Sequence, residues 1–157
     1  MMQTVYFIDT SILLNILEVP DFDQDRQTVM KEMKDKVKAG ENFILPIATI
    51  IETGNHIAHI GDGRMRRNRA QKLSDMLDSI IHNRSPWVYN KSEISDEELL
   101  NISQKFPNYA EQQEMGLGDL SILAEFARYK KKHSKFINVK LWSLDKHLKA
   151  FVDIDEI

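Results

Sequence analysis

Four carboxylates stand where this sequence can do chemistry. Thr4-Val5-Tyr6-Phe7-Ile8 is a short apolar, strand-like run that leads straight into Asp9, and Asn138-Val139-Lys140-Leu141-Trp142-Ser143-Leu144 leads in the same way into Asp145. Glu52 falls in the first turn expected after a second strand, and Asp119 opens an apolar helix after Gly116-Leu117-Gly118. In a parallel α/β sheet, strand ends and the starts of the following helices share one edge, so the four acids can converge. Carboxylates a few ångströms apart repel and raise one another's pKa, and a divalent cation is the usual offset. The chain has no cysteine and its five histidines are scattered, so oxygen-only ligation points to Mg²⁺ or Mn²⁺ rather than zinc. Such an ion activates water and neutralises charge on phosphate, which makes phosphoryl transfer or phosphodiester hydrolysis the expected chemistry.

Each acid also has a purely structural reading. Thr49-Ile50-Ile51-Glu52 has capping-box spacing. Asp119 suits a helix dipole, and Asp9 and Asp145 suit the N-caps of the helices that follow them. Independent capping does not, however, require all four to lie on the same side of the sheet.

The elements that must position them alternate along the chain. After the first strand, the pattern predicts a short helix over about 11–17, a turn at Pro20-Asp21 and a helix over about 23–39 ending at Gly40. A second strand is expected at 42–47, a helix opening at Thr49 and interrupted near Gly61-Asp62-Gly63, and a further helix over about 64–82. Pro86-Trp87-Val88-Tyr89 reads as a third strand, followed by a helix from Ser95 that Pro107 is expected to stop. Trp87 and Trp142 read as core, and Met65 and Met76 as helix packing. This alternation predicts an α/β fold, a three-layer, doubly wound, mostly parallel sheet, in a single domain over residues 1–157.

Composition sets the outer bounds. Hydrophobic residues at 42% and charged residues at 29% suit a folded domain and argue against disorder. The absence of cysteine excludes disulfides and thiolate chemistry, and no apolar run approaches the ~20 residues that span a bilayer, so the expectation is a cytoplasmic protein. The net charge of −3 hides clusters: Arg64, Arg66, Arg67 and Arg69, Lys130-Lys131-Lys132-His133, and acids such as Asp153, Asp155 and Glu156. The four arginines are candidates for contact with nucleic-acid phosphates, and a solvated helix face is the competing reading. His56 and His59, three apart after Glu52, read as solvent or core residues before ligands. Phosphate loops, dinucleotide fingerprints, nucleophile elbows and zinc-protease motifs are absent.

Taken in order, Phe7-Ile8-Asp9-Thr10-Ser11-Ile12-Leu13-Leu14, Thr49-Ile50-Ile51-Glu52, Gly118-Asp119-Leu120-Ser121-Ile122-Leu123-Ala124 and Leu141-Trp142-Ser143-Leu144-Asp145 resemble the motifs of the PIN-domain nucleases. That family comprises metal-dependent ribonucleases and includes the toxins of many toxin-antitoxin pairs. The resemblance implies an acidic quartet of Asp9, Glu52, Asp119 and Asp145 that binds one or two Mg²⁺ or Mn²⁺ ions. It also implies supporting hydroxyls at Thr10 or Ser11 and at Ser143, and RNA as substrate. An antitoxin protein is the partner it suggests, and a homodimer is compatible with it. The stretch between Glu52 and Asp119, with its arginine-rich helix and the segment 91–115, is longer than in compact members. Two other classes stay open at this point. One is an aspartyl-nucleophile phosphatase, which usually has a second carboxylate two residues after its Asp, where this chain has Ser11; the other is a non-catalytic RNA- or protein-binding module on the same fold.

Overall fold

The computed structural model describes residues 2–90 and 93–155, of which 151–155 are described as backbone only; Lys91 and Ser92 of the long segment, and Glu156 of the C-terminal acids, lie outside it. The chain runs β1 (Gln3–Ile8), α1 (Thr10–Ile16), α2 (Arg26–Lys38), β2 (Asn42–Leu45), α3 (Ile47–Ala58), α4 (Gly63–Ile81), β3 (Trp87–Tyr89), α5 (Asp96–Gln113), α6 (Leu117–His133), β4 (Ile137–Trp142) and α7 (Lys146–Asp155). The four strands are all parallel in the order β3-β2-β1-β4. From β1 the chain winds outward through β2 to β3 and later returns to place β4 on the other side of β1. The direction of winding therefore reverses beside β1, and in open sheets ligands bind at such a reversal, outside the strand ends.

β1 is apolar without interruption because both of its faces are covered. Val5 and Phe7 pack with Ile44, Phe126 and Val139 on one side, while Tyr6 and Ile8 join Phe43, Leu45 and Trp142 on the other. The second face is roofed by Ile12 and Leu13 of α1, Val29 of α2, Ile57 of α3, and Leu73 and Ile80 of α4. The first is covered by α6, whose Phe126 meets Phe7 edge to face at 5.7 Å. Ile102 of α5 and Leu148 of α7 pack in turn against Leu120 and Leu123 of α6. Helices thus flank both faces of the sheet. Full burial of a side chain such as Phe7 contributes roughly 1.5–3 kcal/mol. Trp87 and Trp142 are core residues, and the Trp142 indole N–H donates to Glu32 at 3.0 Å. Met76 packs against the core, whereas Met65 is exposed.

Several boundaries differ from the sequence reading. The second strand ends at Leu45, because Pro46 lacks the N–H a strand needs and instead precedes α3 as its N-cap. Glu52 consequently lies in the second turn of α3 and not the first. β4 stops at Trp142, which leaves Asp145 three residues beyond the strand. Pro107 does not stop α5, which continues to Gln113. Its ring removes one donor, but the carbonyl left over belongs to exposed Ser103, where water can replace it, while Phe106 and Tyr109 on either side anchor the helix to the core. The helix ends instead at Glu114, in the left-handed region (φ 50°), with the Met115 N–H donating to the Tyr109 carbonyl at 3.2 Å. Lys130, Lys131, Lys132 and His133 form the last turn of α6, where the helix dipole favours cations. Among the described residues no helix is long and apolar enough to cross a membrane.

Candidate active site

Asp9 is held in a way that N-capping does not explain. It occupies the N-cap position of α1, yet its side chain makes no capping hydrogen bond. The carboxylate is buried, and Oδ2 accepts from the Ser11 hydroxyl at 2.8 Å and from the Ser143 hydroxyl at 2.7 Å. Each hydroxyl is oriented in turn by the loop after β4: Ser11 Oγ accepts from the Leu144 N–H (3.0 Å) and Ser143 Oγ from the Asp145 N–H (2.9 Å). A hydroxyl has one proton, so a backbone donor on its lone pair leaves that proton for Asp9. Both donors fall on the same oxygen. Oδ1 is left without a protein donor among the described residues, and the carboxylate borders an open cavity.

That cavity, of about 390 Å³, is lined by Asp9, Glu52, Asp119 and Asp145 together with Thr10 and Ser11, among others. The structure therefore brings all four acids to one place. As placed, no three Asp, Glu or His side chains among the described residues stand close enough together to hold one metal ion. They share a cavity without forming a closed ligand shell.

Glu52 reaches the cavity across the first turn of α6. Thr49, the expected capping partner, is otherwise engaged: its hydroxyl donates to the Ile8 carbonyl at 2.8 Å and ties the start of α3 to the end of β1. The capping-box reading of Glu52 is thereby removed. Thr10 donates to Glu52 Oε2 at a long 3.4 Å. Glu52 lies so close over Gly118 that a Cβ added there would fall 1.5 Å from Oε1. Gly118, which the sequence reading quoted beside Asp119 without giving it a role, is a positioning residue. The available signal was a glycine inside a helix, where it costs up to about 1 kcal/mol relative to alanine unless something needs the space.

Asp119 and Asp145 do cap, and they line the cavity as well. Asp119 Oδ2 accepts from the Gly116 N–H at 3.1 Å, and Asp145 Oδ1 accepts from the His147 N–H at 2.8 Å at the start of α7. For these two the structural role and the site role coexist. Burial raises the Asp119 pKa, helped by Asp9 and Asp145 and opposed by the Gly116 N–H. Glu52 is pushed up to about 6 by burial and by the negative charges of Asp119 and Asp9, with the Thr10 bond pulling the other way.

This shift has a measurable sign. The folded protein, free of metal, keeps a proton on Glu52 up to about pH 6 whereas the unfolded chain loses it near 4.5. Between those values the folded state binds more protons, so this group's contribution to stability falls as pH rises through the window. Screening of a half-exposed carboxylate limits the change to about 1 kcal/mol. Thermal melts in EDTA should show Glu52→Gln gaining on wild type by about that amount between pH 4.5 and 7. A constant difference would mean that Glu52 does not feel its neighbours.

The arginines divide. Arg69 is half-buried and holds Glu18, with Nε donating to its carbonyl at 2.8 Å and an ion pair at 3.5 Å, and Arg66 donates to the Ile60 carbonyl at the end of α3 at 2.8 Å. Arg64, Arg66 and Arg67 are exposed, and none of the four lines the acidic cavity. Asn15 is buried, donates to the Ser11 carbonyl and accepts from the Asp25 N–H, and it lines the cavity as well. His56 borders the cavity, while His59 and Asn55 lie outside it. No protein-family model matches the chain, and no curated protein matches it.

Proposed function

We propose that this chain is a PIN-like endoribonuclease that hydrolyses RNA phosphodiester bonds with a metal-activated water. The observation that carries the reading is the treatment of Asp9: hydroxyls of Ser11 and Ser143 fix one carboxylate oxygen, and the residue lines a cavity that three further carboxylates share. Capping accounts for Asp119 and Asp145 singly, but not for Asp9 and Glu52 beside them, and a cation would offset the repulsion that the cluster carries. The donor set fits Mg²⁺ or Mn²⁺, since it is all oxygen and lies outside strand ends at a reversal of winding. Asp9, Glu52, Asp119 and Asp145, which line the cavity without closing a ligand shell as placed, would have to draw together to hold the ion, which when bound supplies an activated water and neutralises charge on the phosphate.

The protein's own groups prepare this. Ser11 and Ser143 aim Asp9 and keep it from rotating back to cap α1. Gly118 leaves room for Glu52, and Thr10 steadies it. Glu52 carries a proton at acidic pH and must release it to serve as a ligand, so metal affinity should weaken below about pH 6. Ser11, which stands where an aspartyl-nucleophile phosphatase would carry its second acid, instead spends its proton on Asp9. A nucleophilic Asp9 would thus lack its usual acid. Arg64, Arg66 and Arg67, exposed on α4, are the proposed contacts for phosphates along the RNA strand. An antitoxin and a homodimer belong to the same reading as partners.

The test is metal dependence. Purified protein should cut single-stranded RNA with Mg²⁺ or Mn²⁺ and stop in EDTA, and Asp9→Asn should be inactive with either ion. Cleavage that persists in chelator, or faster release of phosphate from small phosphomonoesters than scission of RNA, would overturn the reading.

A further inference from the structure

Beside the acidic cavity lies a second one of about 360 Å³, within the range of small-ligand clefts, and the two meet at Phe22 and His56, which line both. Phe22 is 42% exposed, with its ring centroid 4.4 Å from that of His56 and the planes at 56°. The turn that presents it is built to stay put. Glu18 and Asp21 both hold left-handed backbone (φ 54° and 71°), a strained choice for residues other than glycine. Arg69 and Arg26 clamp Glu18, Asn15 receives the Asp25 N–H, and the Gln24 amide donates to the Asp21 carbonyl at 2.6 Å. The ring packs on His56 yet leaves 42% of the residue in solvent at the rim of a charged cavity, and the rigid turn holds that exposed part as a ready-made surface for a flat partner.

We infer that Phe22 and His56 form a stacking subsite for a nucleobase of single-stranded RNA next to the scissile phosphate. The inference rests on the nuclease reading of the acidic cavity and names how its substrate is gripped. Charge selects the base over the backbone: the second cavity is lined by Asp21 and by no lysine or arginine, so a phosphate is repelled there while a neutral base is not. Asn55 and Asp21 at its edge supply polar groups for the rim of the base. Stacking on an aromatic face is sequence-tolerant, so the subsite predicts a requirement for an unpaired base more than for a particular one.

The test replaces Phe22 by leucine, which keeps apolar bulk without a π-face, and by tryptophan, which keeps the face. Cleavage of a short oligoribonucleotide in Mn²⁺ should show KM about tenfold higher for Phe22→Leu and near wild type for Phe22→Trp, with the Mn²⁺-induced rise in melting temperature unchanged in both. An abasic nucleotide walked along the oligonucleotide should reproduce the defect at one position in wild type and add nothing further there in Phe22→Leu. A Phe22→Leu enzyme with unchanged KM, or an abasic defect that adds fully to it at every position, overturns the subsite while the nuclease stands; the groove would then suit an apolar side chain of a protein partner. A wild type that neither responds to Mn²⁺ nor cuts RNA overturns the subsite and the nuclease reading together.

Discussion

Replacing Gly118 with alanine is expected to cut the proposed RNA cleavage by about 100-fold or more while leaving the fold as stable as wild type. The backbone at 118 gives no reason for glycine, since Gly40 is the residue among the described glycines that needs a positive φ. Alanine is the better helix former by up to about 1 kcal/mol, so on propensity alone the variant should gain stability. The added methyl would nevertheless sit 1.5 Å from Glu52 Oε1 and 2.6 Å from Cδ. What yields is the far end of a flexible side chain, so Glu52 swings away and the helix stays. That move also relieves Glu52 of its repulsion by Asp119 and Asp9. Displacement of about 1 Å at a reacting centre can cost 100-fold in rate. Cleavage assays and melts on the same preparation separate the two effects, and in a Glu52→Gln background Gly118→Ala should cost little more. Full activity in Gly118→Ala would show that Glu52 is not needed where the structure places it. A collapsed melting temperature would show that Gly118 serves packing.

Asp119→Asn should lack the Mn²⁺ stabilisation expected of the wild type, and in EDTA it should melt at the same temperature or higher. Asparagine keeps a side-chain oxygen for the Gly116 N–H, so the cap survives. It removes a charge that Asp9 and Asp145 oppose, so the metal-free protein loses repulsion. An ion that binds only the folded state stabilises it by about 2.7 kcal/mol at a hundredfold excess over Kd, which is several degrees in a domain of this size. The variant should forfeit most of that shift together with cleavage. If the Mn²⁺-induced shift is the same in both proteins, Asp119 is a helix cap and no more.

What the sequence made legible was whatever depends on pattern. Uninterrupted apolar runs marked strands buried on both faces, and parallel topology alone carries residues 9, 52, 119 and 145 toward one edge of the sheet. Boundaries and fine contacts depend on competition that a pattern does not reveal. Pro107 breaks helices in general, but the anchoring of Phe106 and Tyr109 outweighs one missing hydrogen bond. Thr49 had the spacing of a capping partner, yet the Ile8 carbonyl lay nearer. The arginine cluster looked like one surface, and only three-dimensional packing assigns Arg69 to Glu18 while leaving Arg64 and Arg67 in solvent. Gly118 stood in a motif without a role, because its importance belongs to Glu52, 66 positions earlier.

The pairing of β1 with β4 also sets when the site comes into being. Ser143 reaches Asp9 across 134 positions of sequence, and the six paired residues of β1 and β4 close the longest loop in the sheet. Contacts of such separation form late, because the entropy of closing the loop is lost before the pairing returns anything. During synthesis, β1, β2 and β3 are available to pair while β4 is still inside the ribosome, and Asp9 then has neither its Ser143 hydroxyl nor Asp145 beside it. On the proposed nuclease reading, a nascent chain should therefore be harmless to the message it is being read from. The four-acid site is complete only when β4 slots in beside β1.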